Sequence, residues 1–169
     1  SYEALSATVV KQKIYDLFLN DPTDPETRLD YFRDISTYGG CTAPMTAALE
    51  STRIIDDENL VENSRVMGEY LLERLHELEK YDSVGEVRGQ GLFCGIEYVN
   101  NKETKEPVTE EQMAQLMGNV LAENVIVGRT NSSFHGLNNV MNFAPCLIIT
   151  KEQVDTIVNA VATAIEKTF

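Results

Sequence analysis

Residues 84–99 constrain the fold of this chain more than any other stretch. Two segments rich in aliphatic and β-branched side chains flank a Gly-Gln-Gly sequence at 89–91, and such segments are typical of β-strands. Because glycine tolerates positive φ angles and close backbone approach, the sequence predicts a tight turn at this point. Gly95, inside the second segment, predicts a bulge or a closely packed neighbour. Helical patterns lie on both sides, so this hairpin is expected to form the centre of a small sheet covered by helices.

Helical and strand patterns divide the rest of the chain. Apolar residues follow a 3.6-residue repeat between 45 and 81, and the acidic residues at 56–58 predict a break because carboxylates favour helix N-termini. Capping boxes at Thr109 and Thr150 predict two further helices. Shorter patterns predict a helix at 14–18 and strands at 5–10, 125–127, 140–143 and 147–149. The sequence therefore predicts an α+β fold from residue 51 onward, whereas residues 1–50 look like the trailing edge of a different, α/β unit.

Charge and composition exclude several partners. The 169-residue chain has a formal net charge of −13, which is unfavourable for binding nucleic acid or an anionic membrane surface. No apolar run approaches the roughly 18 residues of a membrane-spanning helix. The three cysteines are widely spaced and odd in number, which predicts reduced thiols in a cytoplasmic protein. With His76 and His135 they form no zinc-binding spacing, so no metal site is expected. The chain shows no signal peptide and begins at Ser1 without a methionine, so it is expected to be a piece of something longer.

A loop rich in hydroxyl groups and glycine precedes one of the predicted helices. It lies within residues 31–43 and leads to Pro44, a residue favoured in the first turn of a helix. First-turn amides with neighbouring hydroxyl groups can hold a phosphate. The same composition also fits a capped helix entry that binds no ligand, so the loop alone leaves both interpretations open.

Three motifs, in this order, resemble the C-terminal part of the class III aminotransferases. They are Thr-Tyr-Gly-Gly at 37–40, Arg-Gly-Gln-Gly-Leu at 88–92 with Gly-Ile-Glu at 95–97, and Pro-Cys-Leu-Ile-Ile-Thr at 145–150. Cys41 and Thr42 replace the usual His-Pro, and Cys146 replaces a proline. Residues 32–42 resemble the branch of the family that uses taurine and pyruvate.

The resemblance implies an enzyme of fold type I that uses pyridoxal 5′-phosphate (PLP). Such enzymes move an amino group from an ω-amino compound, taurine-like in this branch, to a 2-oxo acid, and they are homodimers. Residues 1–50 would be the trailing segment of the PLP-binding large domain, and residues 51–169 the C-terminal small domain. The lysine that forms the Schiff base should lie just upstream of Ser1, because Ser1-Tyr2 matches the pair that follows it. The chain alone would then be inactive, since Lys11 and Lys13 come too late to be that lysine.

Two residues take site roles from the resemblance. Thr37 matches the threonine that binds the PLP phosphate, typically across the dimer interface. Arg129 matches the arginine that pairs with the substrate's carboxylate or sulfonate, for which a planar guanidinium is suited. The loop between Arg129 and Pro145 is longer than in the family, so a surface arginine stays the alternative. Arg88 is expected to pair with a carboxylate or carbonyl in a structural role, and Cys41 to be packed.

Other functions remain open at this point. A different class III transaminase would act on β-alanine, a diamine or 4-aminobutyrate. A stand-alone domain that binds a partner or a small anion without catalysis is the alternative outside the enzymes.

Overall fold

The computed structural model describes residues 3–19, 21, 23–29, 31–32, 36–131 and 137–169. Ser1 and Tyr2, on which the expected lysine position depends, lie outside these residues. So do His135 and residues 33–35 of the stretch at 32–42 that resembles the taurine and pyruvate branch. The chain divides into two units, Ser1–Ile54 and Ile55–Phe169. None of the helices within the described residues has the length and apolar character needed to cross a membrane.

The first unit contains little regular structure before its long helix. Helix α1 covers Gln12–Tyr15 and continues into a 3-10 turn at Asp16–Phe18, which confirms the short helix predicted there. The predicted strand at 5–10 is wrong, because these residues are exposed coil with no pairing strand among the described residues. Of the described residues before position 55, Pro44 alone is buried. This unit therefore has no hydrophobic core of its own within the described residues.

Two helices occupy the long helical pattern, and their break falls where the acidic residues predicted it. Helix α2 covers Thr42–Asp57, running across the boundary between the units, and helix α3 covers Leu60–His76. Asn59 between them has a φ of 51°, a left-handed conformation that asparagine tolerates better than most residues. A 3-10 turn at Glu77–Lys80 follows α3.

The predicted hairpin belongs to a five-stranded sheet but is not its centre as expected, because its first strand lies at the sheet edge. Strands β1 (Val84–Gln90) and β2 (Phe93–Asn101) pair antiparallel, with a φ of 54° at Gly91 in the turn. The short strand β3 (Glu106–Pro107) pairs with the end of β2. Strand β5 (Val140–Phe143) pairs with β2 and also with β4 (Gly128–Arg129), which gives the order β1-β2-β5-β4 with every pair antiparallel.

Helices α3, α4 (Glu110–Ala122) and α5 (Lys151–Thr168) pack with this sheet around one core. Both capping boxes are present, with Thr109 and Thr150 accepting from the backbone N–H groups of Gln112 and Gln153. Burying each large aliphatic side chain contributes about 1.5–3 kcal/mol. Fully buried members come from every layer: Leu71, Leu75, Ile96, Tyr98, Met113, Leu116, Met141, Val154 and Ile165. The predicted α+β fold with an antiparallel sheet and covering helices is confirmed.

Two strand predictions in this unit are wrong in position or kind. Residues 125–127 are coil, and the strand begins only at Gly128. Residues 147–149 form a turn, in which the Asn63 side-chain amide donates to the carbonyls of Leu147 (2.6 Å) and Ile149 (3.2 Å). These carbonyls are thus satisfied by a helix side chain instead of a neighbouring strand.

Candidate active site

The hydroxyl-rich loop forms a compact turn directly before α2. The Gly39 N–H donates to the Ser36 carbonyl at 2.9 Å, and Gly40 has a φ of 79° that favours glycine. Ser36 and Gly39 line a cavity of about 630 Å³ within the first unit, together with other hydroxyl-bearing side chains: Ser6, Thr8 and Tyr38. The loop therefore offers several hydroxyl groups around one concave surface.

Thr37 lies in this turn and is exposed. Among the described residues, neither its hydroxyl nor its backbone N–H makes a hydrogen bond. Both groups are donors, and a phosphate accepts several hydrogen bonds at once. These two donors suit a phosphate such as that of PLP, but Thr37 is not among the residues that line the cavity. Cys41 is exposed, so the expectation that it is packed is wrong within this unit.

Arg129 belongs to the second unit and closes a ring of polar contacts with two residues from other segments. Its Nε donates to the Asn138 carbonyl at 2.7 Å, and its Nη2 forms an ion pair with Glu110 Oε2. The Asn138 side-chain amide donates to Glu110 Oε1 at 3.2 Å. The Arg129 side chain keeps 23% of its surface exposed, so it is reachable from solvent.

Sequence reasoning missed Glu110 and Asn138 as neighbours of Arg129. Glu110 directly follows the Thr109 cap, and the capping box there predicts only the start of a helix. Its distance from Arg129 along the chain matches no local pattern, because the ion pair joins the first residue of α4 to β4. Thr37 belongs to the first unit and Arg129 to the second.

Arg88 has the structural partner that its sequence context predicted. Its Nη1 lies 2.9 Å from Glu97 Oε2 across the hairpin and 3.4 Å from Glu86 Oε2. The guanidinium is therefore engaged by carboxylates of its own sheet, which fits a role in holding the hairpin together.

Two titratable groups of the second unit, the Cys94 thiol and the Tyr98 hydroxyl, belong to buried residues. Cys94 is 3% exposed, and burial raises the pKa of its thiol, which keeps it protonated. Burial likewise raises the pKa of the Tyr98 hydroxyl, whose ring is completely enclosed. Across the residues that the structure describes, no group of three or more His, Cys, Asp or Glu side chains could hold a metal ion.

Comparison with known proteins decides the family. The model of the class III aminotransferases matches residues 4–165. The chain belongs to the class III aminotransferases. Among curated members of this family, the hypotaurine/taurine–pyruvate aminotransferase of Paracoccus denitrificans is 43% identical over 169 residues, covering 99% of this chain and 36% of the relative. The taurine–pyruvate aminotransferase of Bilophila wadsworthia is 42% identical over 172 residues, covering 99% of this chain and 37% of the relative.

Solved structures of aminotransferases share the fold. A Bacillus anthracis aminotransferase aligns with a TM-score of 0.80 at 38% identity, covering 94% of this chain and 34% of that chain. An amine transaminase from an uncultivated Pseudomonas species, solved in its PLP-bound form, aligns with a TM-score of 0.72 at 28% identity and covers 82% of this chain and 30% of that chain. The chain thus spans about a third of the length of the class III aminotransferases it matches.

Proposed function

We propose that this chain is the C-terminal segment of a PLP-dependent aminotransferase that moves an amino group from taurine or a similar ω-amino compound to pyruvate. The observation that carries the proposal is the identity of 42–43% with taurine–pyruvate aminotransferases across 99% of the chain. Residues 1–50 would belong to the PLP-binding large domain and residues 51–169 to the small domain. The absence of a core among the described residues of the first unit supports this division, because such a segment needs further protein to cover its apolar side chains.

Thr37 is proposed to hold the cofactor phosphate with its hydroxyl and its backbone N–H. Support comes from the turn geometry and from the donors that remain unused among the described residues. When bound, PLP would supply the electron sink that transamination requires. The lysine that carries the cofactor is proposed to lie upstream of Ser1, and the site to form in a homodimer in the cytoplasm.

Arg129 is proposed to bind the anionic end of the substrates. A guanidinium can donate two parallel hydrogen bonds to a carboxylate or a sulfonate, so one arginine suits both pyruvate and taurine. Its partial exposure supports this role. The protein's own contribution to catalysis here is orientation, because binding the remote anion places the reacting end of the substrate relative to the cofactor.

An amino-donor panel tests the proposal. The full-length protein that contains this segment is purified with PLP and given pyruvate with taurine, β-alanine, 4-aminobutyrate or a diamine in turn, and alanine formation is measured. Taurine should support the highest kcat/KM. Turnover of β-alanine without turnover of taurine would reject the taurine assignment and keep the family. No transamination with any donor would instead favour a domain that binds without catalysis.

A further inference from the structure

A closed ring of side-chain and backbone contacts surrounds one edge of the Arg129 guanidinium. Glu110 and the Asn138 carbonyl accept from Nη2 and Nε, and the Asn138 amide donates to Glu110. We propose that Glu110 is a positioning residue for Arg129: it holds the Nε–Nη2 edge so that the Nη1 end meets the anionic group of the substrate. This inference rests on the proposed function of Arg129.

Each member of the ring lies on a fixed part of the second unit. Arg129 is in β4 and pairs with Met141 of β5, whereas Glu110 is the first residue of α4 behind its capping box. Asn138 precedes the buried Asn139, whose side-chain amide donates to the Tyr98 carbonyl at 2.7 Å and whose own carbonyl accepts from the Tyr98 N–H at 2.8 Å. Because three separate segments fix the ring, the direction of the guanidinium is set before any ligand arrives.

The contacts leave one end of the guanidinium for a ligand. Arginine has five N–H donors, and the ring uses those on Nε and Nη2. No hydrogen bond from Nη1 occurs among the described residues on either side of 132–136. Nη1 and the second Nη2 donor point the same way, and together they make the fork that binds a carboxylate or sulfonate through two oxygens.

Preorganisation gives the ring its effect on binding. An unrestrained arginine loses considerable rotamer freedom when it binds an anion, and a side chain that is already fixed loses less. Removing the hydrogen bond between Glu110 and Arg129 should therefore weaken anion binding at Arg129 by about fivefold. Glu110 is also a carboxylate in the first turn of a helix, where it interacts favourably with the helix dipole. Glu111 is exposed in the same turn and shares this second property, so it provides a matched control.

The test is a double-mutant cycle in the full-length enzyme. The variants are E110A, E110Q, E111A, R129M and R129M/E110A, and the readouts are KM and kcat for pyruvate and the inhibition constant of isethionate, an unreactive sulfonate. E110A should raise KM and the inhibition constant about fivefold with little change in kcat, and E110Q should restore most of the loss. E111A should match the wild type, and E110A should add nothing in the R129M background.

Three outcomes would overturn the inference. If E110A and E111A behave alike, Glu110 acts only as a carboxylate at a helix start. If E110A lowers KM, Glu110 competes with the substrate instead of positioning its partner. If E110A is equally harmful with and without Arg129, its effect is structural. An unchanged KM in R129M would reject Arg129 itself, and that result identifies a failure of the proposed function.

Discussion

Replacing Gly68 by alanine should destabilise the second unit strongly, although alanine is the better helix former. An alanine Cβ at this position would lie 2.3 Å from the carbonyl carbon of Gly91 and 2.4 Å from its oxygen. These are backbone atoms in the hairpin turn, which no rotamer change can move aside. Helix α3 and the hairpin would have to separate by about 1 Å to restore ordinary contact, which forfeits a quarter to a half of the dispersion attraction across that gap.

The magnitude follows from two opposing effects. Overpacking of this kind costs about 1–3 kcal/mol or more. The separation of α3 from the hairpin also weakens the packing of α3 residues such as the fully buried Leu71 and Leu75. Alanine regains about 1 kcal/mol of helix propensity. We therefore expect G68A to lower the free energy of unfolding by about 2–4 kcal/mol.

Gly118 offers a matched control within the same unit. It also lies inside a helix, but an added Cβ would meet no atom within 4 Å. G118A should therefore raise the free energy of unfolding by about 0.5–1 kcal/mol. Urea unfolding of the 169-residue chain, followed by circular dichroism, measures both variants. Equal stabilisation by the two substitutions would refute the close approach of α3 to the hairpin turn.

Two further predictions concern titratable groups. The Cys94 thiol should react with a thiol reagent only after unfolding, whereas the two exposed cysteines should react at once; three fast thiols in the native chain would contradict its burial. The hydrogen bond from Tyr70, with help from Arg74, holds the pKa of the Asp155 carboxyl below its ordinary value of 3.8. Because this folded-state pKa is depressed, the stabilisation is present above about pH 4 and is lost as pH falls through the folded-state pKa. The difference in unfolding free energy between D155N and the wild type should therefore shrink as pH falls from 6 to below about 4; a constant difference would contradict the assignment.

Local patterns predicted the parts of the fold that local interactions determine. Thr109 and Thr150 each begin a helix because a capping box is satisfied within four residues, without help from the rest of the chain. The hairpin of β1 and β2 depends likewise on adjacent strands and on one glycine with a positive φ. These elements were predicted at nearly their observed positions.

Elements that depend on distant partners were predicted less well. The aliphatic run at 125–127 predicted a strand, but pairing with β5 begins only at Gly128. The aliphatic run at 147–149 predicted a strand. Nothing in its own pattern indicates that the Asn63 side-chain amide donates hydrogen bonds to two of its carbonyls. Hydrophobic content alone does not distinguish a strand from a turn that packs one apolar residue, Ile149, into the core.

The candidate site follows the same division. Thr37 and Arg129 were assigned from motifs that resemble a family, and these assignments stay predictions. The ring around Arg129 was not predictable, because Glu110 and Arg129 lie on different elements and meet only in the folded chain. Tertiary contacts of this kind define the surroundings of a functional side chain, and sequence patterns identify only the side chain itself.

Substrate recognition is proposed to depend on Arg129, whereas the hairpin of β1 and β2 is proposed to have a structural role. The most direct measurement compares R129M with R88M in the full-length enzyme, since both arginines lie in the same sheet and both pair with carboxylates. The KM for pyruvate should rise at least tenfold in R129M, as expected for a lost charged hydrogen-bond pair of about 1.5–3 kcal/mol, and change less than about twofold in R88M. A larger rise in R88M than in R129M would contradict the account.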